Sequence, residues 1–335
     1  RWGIVGTGGM SNDFCCGLVK NGSTIASVAA RDAARALAFG AKFGAGRGVG
    51  SYRELLEDPL VTVCYIGTHS NTHFDLTMRC LEAGKHVLCD KPLAMNAREL
   101  AILTGLARRK KLFLMEGLWT RCFPVIQKAK SILDSGELGE LRAVQADFGF
   151  VVPEDIKRWN WKVGGGVTLN IGIYTVAAAM LGFGSEMPSQ IGVAGQIKDG
   201  VDCHASVALG YAGGSGTATM TYSFTTPLPE CTRYFCERGS ISIGSPAHCP
   251  SRIEVLREGS QVPEVITEST LPTPDGHKVN YPNSEGIIYE VREVERCLTQ
   301  ELLESPHWTL KDSTTCMRIM DEVRGKLGAT LDSEY

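Results

Sequence analysis

The opening run Gly3-Ile4-Val5-Gly6-Thr7-Gly8-Gly9-Met10-Ser11 admits few local structures. A short apolar stretch feeds into a glycine turn and then into a helix-compatible segment. Glycines at 6, 8 and 9 keep Cβ atoms out of the turn, so backbone can come close to a ligand. A helix starting there offers unpaired N–H groups and a positive dipole end, which suit a pyrophosphate. The pattern is that of a strand–turn–helix dinucleotide fingerprint, with Ser11 at the third glycine position. Gly6, Thr7, Gly8, Gly9 and Met10 are therefore expected at a dinucleotide. Because a glycine turn can also serve only the fold, the neighbouring segments must decide.

Residues 24–30 are apolar and β-compatible, and Arg31-Asp32 follows about 20 residues after the turn, where a ribose-reading residue belongs. A lone carboxylate there favours NAD. Here Arg31 precedes Asp32, and Arg35 lies one helical turn further on. Two guanidiniums can grip a 2′-phosphate through charge-assisted bonds, which favours NADP(H). The blander reading, Asp32 as the cap of a helix over 33–43 with both arginines solvated, accounts for the carboxylate and not for the two cations.

The first third alternates strand and helix patterns. Ser51 opens a short helix with Glu54 as its capping-box partner. Residues 61–66 form a continuous apolar run, as in a buried parallel strand. Helices are expected over 74–83 and from the cap Asn96 to about 110, and strands over 86–89 and 112–115. This alternation predicts a doubly wound parallel sheet, with ligands at the carboxyl ends of its strands. Those ends carry Gly6–Gly9, Arg31, Thr68 to His73, Asp90-Lys91-Pro92 and the stretch from Glu116 to Phe123.

After Pro124 the pattern changes. A helix reaches about 135 and a strand covers 141–150. A polar, aromatic loop spans 154–161. Gly164-Gly165-Gly166 leads into a helix over about 168–180. Residues 191–255 are strand-rich: Thr217, Thr219, Thr221 and Ser223 alternate with Ala218, Met220, Tyr222 and Phe224, a period of two with one apolar and one hydroxyl face. An open, mostly antiparallel sheet is expected, its free face being a dimer surface or simply solvated. A last helix covers 310–327.

The 335 residues suit two domains. The net charge of −3, without blocks of like charge, argues against nucleic acid as the main partner. No apolar run reads as a bilayer span, so no membrane partner is expected. No leader is visible in a chain that begins at Arg1. The twelve cysteines read as reduced core thiols of a cytoplasmic protein, Cys231 and Cys236 being the nearest candidates for pairing. None of them has zinc spacing, and no metal is expected.

Five segments occur in order along nearly the whole chain: the glycine turn through Ser11, Ala29-Ala30-Arg31-Asp32, Cys89-Asp90-Lys91-Pro92, Trp119 through Pro124, and Gly164 through Tyr174. Together they resemble the glucose–fructose oxidoreductase/inositol dehydrogenase family, in particular its branch of dimeric dihydrodiol dehydrogenases and NADP-dependent D-xylose dehydrogenases. The resemblance implies an α/β chain: an N-terminal Rossmann domain over 1–121, then a substrate-binding α/β domain over 122–335 that dimerises through its open sheet, with the C-terminal helix free to pack back on the first domain. It implies hydride transfer between a nicotinamide and the carbinol carbon of a sugar or cyclic diol. Tyr174 stands at the acid/base position and Lys91 at that of the assisting lysine. A phenol ordinarily titrates near 10, too high for a base at neutral pH, and a cation within about 4–6 Å favours the phenolate. The Lys91-Pro92 bond is expected to be cis, both from the resemblance and because cis bonds occur at X–Pro.

One departure stands out. The family's aspartate four residues before the tyrosine is Asn170 here. An amide can hydrogen-bond a substrate hydroxyl or Lys91, but it carries no charge. Lys91 is then less firmly anchored, yet also freer to lower the phenol's pKa, and the sequence leaves the balance open. Asn170 therefore keeps a second reading in view, a non-catalytic nicotinamide-binding regulator of the same fold. Trp119, Arg121 and Phe148 are expected at substrate, the first two also at cofactor along with Thr68, His73 and Asp90. For Trp159 and Trp161 an interface is the alternative reading, and substrate contact is not favoured.

Overall fold

The computed structural model describes residues 1–153, 157–267, 271 and 276–329. Glu154, Asp155 and Ile156 of the polar loop lie outside them. The chain forms two compact units. The first comprises Arg1–Cys122 and the described part of Leu271–Leu310; the second holds the other described residues from Phe123 on.

The first unit is built on six strands: β1 (Trp2–Val5), β2 (Ile25–Ala29), β3 (Arg47–Val49), β4 (Val63–Ile66), β5 (His86–Asp90) and β6 (Leu114–Gly117). Their order is β3-β2-β1-β4-β5-β6, with every pairing parallel. The order reverses between β1 and β4, which makes the crevice beyond their carboxyl ends the expected ligand position. β1, β2 and β4 are buried along their whole length, which is why they read as uninterrupted apolar runs rather than alternating ones. Helix caps follow the local signals. Asn96 accepts from Glu99 N (2.9 Å), whereas Ser51 caps through Arg53 N (3.2 Å).

The second unit carries eight strands: β7 (Leu141–Gly149), β8 (Gln190–Lys198), β9 (Val201–Gly210), β10 (Thr217–Ser223), β11 (Thr232–Cys236), β12 (Gly239–Ile243), β13 (Ile253–Arg257) and β14 (Glu264–Ile266). They lie in the order β14-β13-β12-β11-β7-β10-β9-β8, and β7–β10 is the parallel pair in an otherwise antiparallel sheet. In β10, Ala218, Met220 and Tyr222 are buried while Thr217 and Thr219 face solvent, as the period of two requires. Helix Ile173–Phe183 packs on β7.

Three expectations need correction. The division at residue 122 holds only up to 270: helix Ile287–Thr299 and its flanks belong to the first unit, while the C-terminal helix after Leu310 belongs to the second. The helix over 168–180 begins as a π-helix, Thr168–Gly172, and becomes an α-helix at Ile173. One segment, Trp161–Phe183, is by length and composition apolar enough to cross a membrane. Most of it is buried within the protein, as in the core helix of a globular unit. None of the twelve cysteines is in a disulfide, Cys231 and Cys236 included.

Candidate active site

At the end of β1 the chain turns through Gly6, whose φ is +102°. A Cβ there would lie 2.9 Å from Thr68 Cγ2 and 3.0 Å from Gly67 O, so only glycine fits. Helix Gly9–Lys20 starts without a side-chain cap and without an acidic residue in its first turn. Its leading N–H groups and dipole end therefore suit an anion. Ser11 is buried and its hydroxyl donates to Gly67 O (3.3 Å), tying this helix to the end of β4. An open glycine turn before an uncapped helix is the cradle that a dinucleotide pyrophosphate requires, and these residues fit it. Further along the strand ends, Asp32 accepts from Arg35 N (3.1 Å) and caps helix Ala33–Lys42. Arg35 folds back so that Nη2 donates to Thr7 O (3.1 Å). Arg31, Asp32 and Arg35 are all exposed.

A third side of this cradle comes from a segment the sequence reading assigned to the second domain. Asn280 Nδ2 donates to Gly9 O (3.2 Å), and a Cβ on Gly9 would meet the Tyr281 hydroxyl at 3.2 Å. Buried Asp13, one turn into the helix, holds this segment through Asn280, Tyr281 and Ser284.

Beyond β4 and β5, His73 joins two strand-end loops. Its Nδ1 lies 2.7 Å from Pro92 O and its Nε2 3.3 Å from Thr68 O. The ring bridges two carbonyl oxygens. His73 thus shapes the loop that presents Lys91, and the Lys91-Pro92 bond is cis. Asp90 accepts from the Lys91 backbone N–H (2.8 Å). Burial pushes the Asp90 carboxyl above the usual carboxylate range, against the pull of Lys91 and His73. Buried Glu116 accepts from Leu93 N (2.9 Å) and from the Trp308 indole (2.8 Å). Arg121 is buried, its Nε donating to His307 O (3.2 Å) and its guanidinium lying 5.0 Å from the Trp308 ring centroid. Trp119 is buried on the same short 3-10 turn.

Glu290 is a buried acid that the sequence gave no reason to single out. It is 4% exposed, and its Oε1 has no hydrogen-bond partner. Burial, reinforced by Asp90, raises its pKa well above the ordinary value. The folded chain therefore holds this proton more tightly than the unfolded chain does. The associated stability is complete below the unfolded carboxyl pKa of about 4.3 and is lost as pH rises toward the native value. Glu290→Gln, which needs no proton, is expected to match the parent in urea unfolding at pH 4. At pH 8 it should exceed it by about 1 kcal/mol or more. An equal difference at both pH values would refute the buried-acid assignment.

In the second unit the glycine run is steric. A Cβ on Gly165 would lie 2.6 Å from both Arg158 O and Asn160 O, and one on Gly166 (φ +120°) 2.3 Å from Asp202 Oδ1. Asp202 is buried and accepts from Thr168 N (2.7 Å), so it holds the start of the helical segment carrying Asn170 and Tyr174. Asn170 sits in the π-helical stretch, a feature frequent at functional sites, and Tyr174 in the first α-turn after it. The Phe148 ring, from β7, lies 5.8 Å from that of Tyr174. A residue not anticipated, His248, completes the group: its ring stacks on Phe148 and lies 5.1 Å from Tyr174. Trp159 is engaged elsewhere, donating to Pro153 O (3.0 Å) and meeting Phe224 edge-on. Trp161 lies beneath the Lys162 ammonium.

In this setting the comparisons with known proteins are specific. A family model described as an oxidoreductase family with an NAD-binding Rossmann fold matches residues 1–118, and the GFO/IDH/MocA C-terminal domain matches residues 126–242. Trans-1,2-dihydrobenzene-1,2-diol dehydrogenase from Sus scrofa is 37% identical over 338 residues, covering 100% of this chain and 98% of the relative. Its counterpart from Homo sapiens is 37% identical over 341 residues, with the same coverage. Among solved structures, a levoglucosan dehydrogenase in complex with NADH and levoglucosan superimposes with a TM-score of 0.84 at 16% identity, covering 97% of this chain and 96% of that one. A 3-ketoreductase from Actinomadura kijaniata in complex with NADP gives 0.79 at 23% identity, with 97% of each chain covered. The glycine cradle, the two sheets and these full-length matches agree: the chain belongs to the glucose–fructose oxidoreductase/inositol dehydrogenase (Gfo/Idh/MocA) family of oxidoreductases.

Proposed function

We propose that this protein is an NADP-dependent dehydrogenase that moves hydride between a nicotinamide and a hydroxyl-bearing carbon of a sugar or a cyclic trans-dihydrodiol. The observation that carries the proposal is Tyr174, a phenol beside the aromatic face of Phe148, in a chain 37% identical to dihydrodiol dehydrogenases. A bound nicotinamide supplies hydride acceptance or donation. Tyr174 takes the proton from the reacting hydroxyl, and returns it in the reverse direction. The family resemblance gives Lys91 the part of the assisting lysine, a cation of the kind that favours a phenolate. Phe148 offers an apolar face to the C–H side of a ring, and Asn170 supplies an amide for a hydroxyl.

The NADP preference rests on Arg31 and Arg35 at the end of β2. Since the Asp32 carboxylate is engaged as a helix cap, the exposed cations are the side chains left to read a 2′-phosphate. Nicotinamide absorbance, followed with NADP⁺ and NAD⁺ over D-xylose, inositols and a trans-dihydrodiol, tests the activity. Arg31→Ala is expected to weaken NADPH binding by about tenfold, the size of one charge-assisted hydrogen bond, and to spare NADH. An unchanged NADPH affinity would rule out the arginine clamp. Asn170 is the feature that favours the second reading, a nicotinamide-binding sensor, for which tight nucleotide binding without turnover in either direction would be the result.

A further inference from the structure

The second unit holds a histidine–carboxylate pair that the roles given to Tyr174 and Phe148 leave unused. His248 lies between β12 and β13, and its Nδ1 is in close contact with Glu230 Oε1. Its ring stacks on Phe148 (centroids 4.9 Å apart, interplanar angle 22°) and lies 5.1 Å from the Tyr174 ring. The side chains retain 13% and 17% exposure, so the pair is largely shielded from water yet open to a ligand. Glu230 is held firmly. Its φ is +60°, an uncommon conformation for a non-glycine residue that persists only when its surroundings fix it. Its N–H donates to Asp147 Oδ1 (2.5 Å), next to Phe148 on β7, and its carbonyl accepts from Ala247 N (3.2 Å).

A carboxylate at Nδ1 fixes the proton there and leaves the Nε2 lone pair as an acceptor. Cys249 Sγ lies 3.4 Å from Nε2. A thiol is a weak donor, and an alcohol hydroxyl placed there is a better one. Tyr174 handles the proton of the reacting hydroxyl. The two ring centroids lie 5.1 Å apart, a separation that suits a ligand with hydroxyls on neighbouring carbons, one toward each ring. Sugars and trans-dihydrodiols both carry such a pair.

We infer that His248, oriented by Glu230, is a specificity-determining residue that accepts a hydrogen bond from the non-reacting hydroxyl of a vicinal diol. The inference rests on Tyr174 marking the substrate site. It names what the two substrate classes share and makes monohydric alcohols poor ligands, because a site built to bond a hydroxyl discriminates strongly against an analogue lacking it.

Calorimetry on the NADPH-loaded protein, which cannot take hydride from an alcohol, tests this without turnover, with trans-cyclohexane-1,2-diol, D-xylose and cyclohexanol as probes. His248→Phe keeps the ring against Phe148 and removes the acceptor. It is expected to weaken diol and xylose binding by about tenfold or more and to leave cyclohexanol unchanged. His248→Gln, which retains an acceptor, should recover part of the loss. Equal weakening of all three probes would mean a packing role and would overturn the inference. So would unchanged diol binding, or a parent protein that binds the diol no better than cyclohexanol. The activity reading fails separately: His248-dependent diol binding with no nicotinamide turnover would remove the dehydrogenase and leave the diol site standing.

Discussion

Tyr174→Phe is expected to lower turnover by about 10²–10⁴-fold, the usual contribution of a positioned acid or base, with NADP⁺ affinity unchanged. Phenylalanine keeps the ring and so preserves the contacts with Phe148 and His248. What it removes is the oxygen that the proposed mechanism uses to exchange a proton with the reacting alcohol. Each tenfold loss corresponds to about 1.4 kcal/mol of transition-state stabilisation, and the cost should fall on kcat rather than on KM. Local structure argues against a folding artefact. Tyr174 is half-buried and sits one residue into helix Ile173–Phe183. The start of this segment is pinned instead by Asp202 and by the Thr168–Tyr222 hydroxyl contact (3.3 Å). A Tm within a degree or two of the parent should accompany the loss of turnover. Turnover within threefold of the parent would eliminate Tyr174 as the acid/base.

The first sheet was legible because its signals are local. Apart from the short edge strand β3, each strand lies in an apolar run ending at a glycine or a charged loop, and two of the helices start at caps of their own, Asp32 and Asn96. Arg31, Thr68, His73 and Lys91 could be placed on strand ends by counting elements, before any contact was known. The features that escaped depend on distant partners. Nothing near Asp13 announces that it will hold residues more than 260 positions away. Glu290 lies on an amphipathic helix, where an acid reads as a solvated face until helix Gly9–Lys20 and the 3-10 turn Trp119–Cys122 pack against it. His248 became a candidate only once Glu230 and Phe148 closed around it, since a histidine beside a proline turn is locally unremarkable. The π-helical start at Thr168–Gly172 escaped because apolar periodicity over five residues does not separate an i→i+5 from an i→i+4 ladder. The apolar length of Trp161–Phe183 is hidden in the sequence because the glycine run at 164–166 interrupts the pattern.

Asp13 carries the second large effect. Its carboxylate is fully buried and accepts from six donor contacts. Asn280 N reaches both oxygens at 2.9 Å, Asn280 Nδ2 lies at 2.7 Å, Tyr281 N at 3.1 Å, Ser284 Oγ at 2.6 Å and Asn12 Nδ2 at 2.9 Å. Asp13→Ala leaves these donors facing a methyl group. One unsatisfied buried donor costs about 1–3 kcal/mol. Relaxation of the segment keeps the total from being additive, so the expected loss is about 3–5 kcal/mol, as when a buried charge network loses a member. The damage should begin locally. With Asp13 gone, residues 278–284 lose the anchor that gathers Asn280, Tyr281 and Ser284, while the Asn12 Nδ2 bond to Lys278 O and the Asn280 bond to Gly9 O remain. Tyr281 then leaves Gly9, and amide exchange over 279–286 should accelerate well before exchange in β1 or β4. Nucleotide affinity should fall with it, since the third wall of the cradle is lost. Asp13→Asn separates charge from shape: its NH₂ group faces donors rather than acceptors, so it should lose most of the stability that alanine loses. Urea unfolding that shows less than about 1 kcal/mol of loss for the alanine variant, with exchange over 279–286 unchanged, would mean that water replaces the carboxylate and that Asp13 does not hold the cradle together.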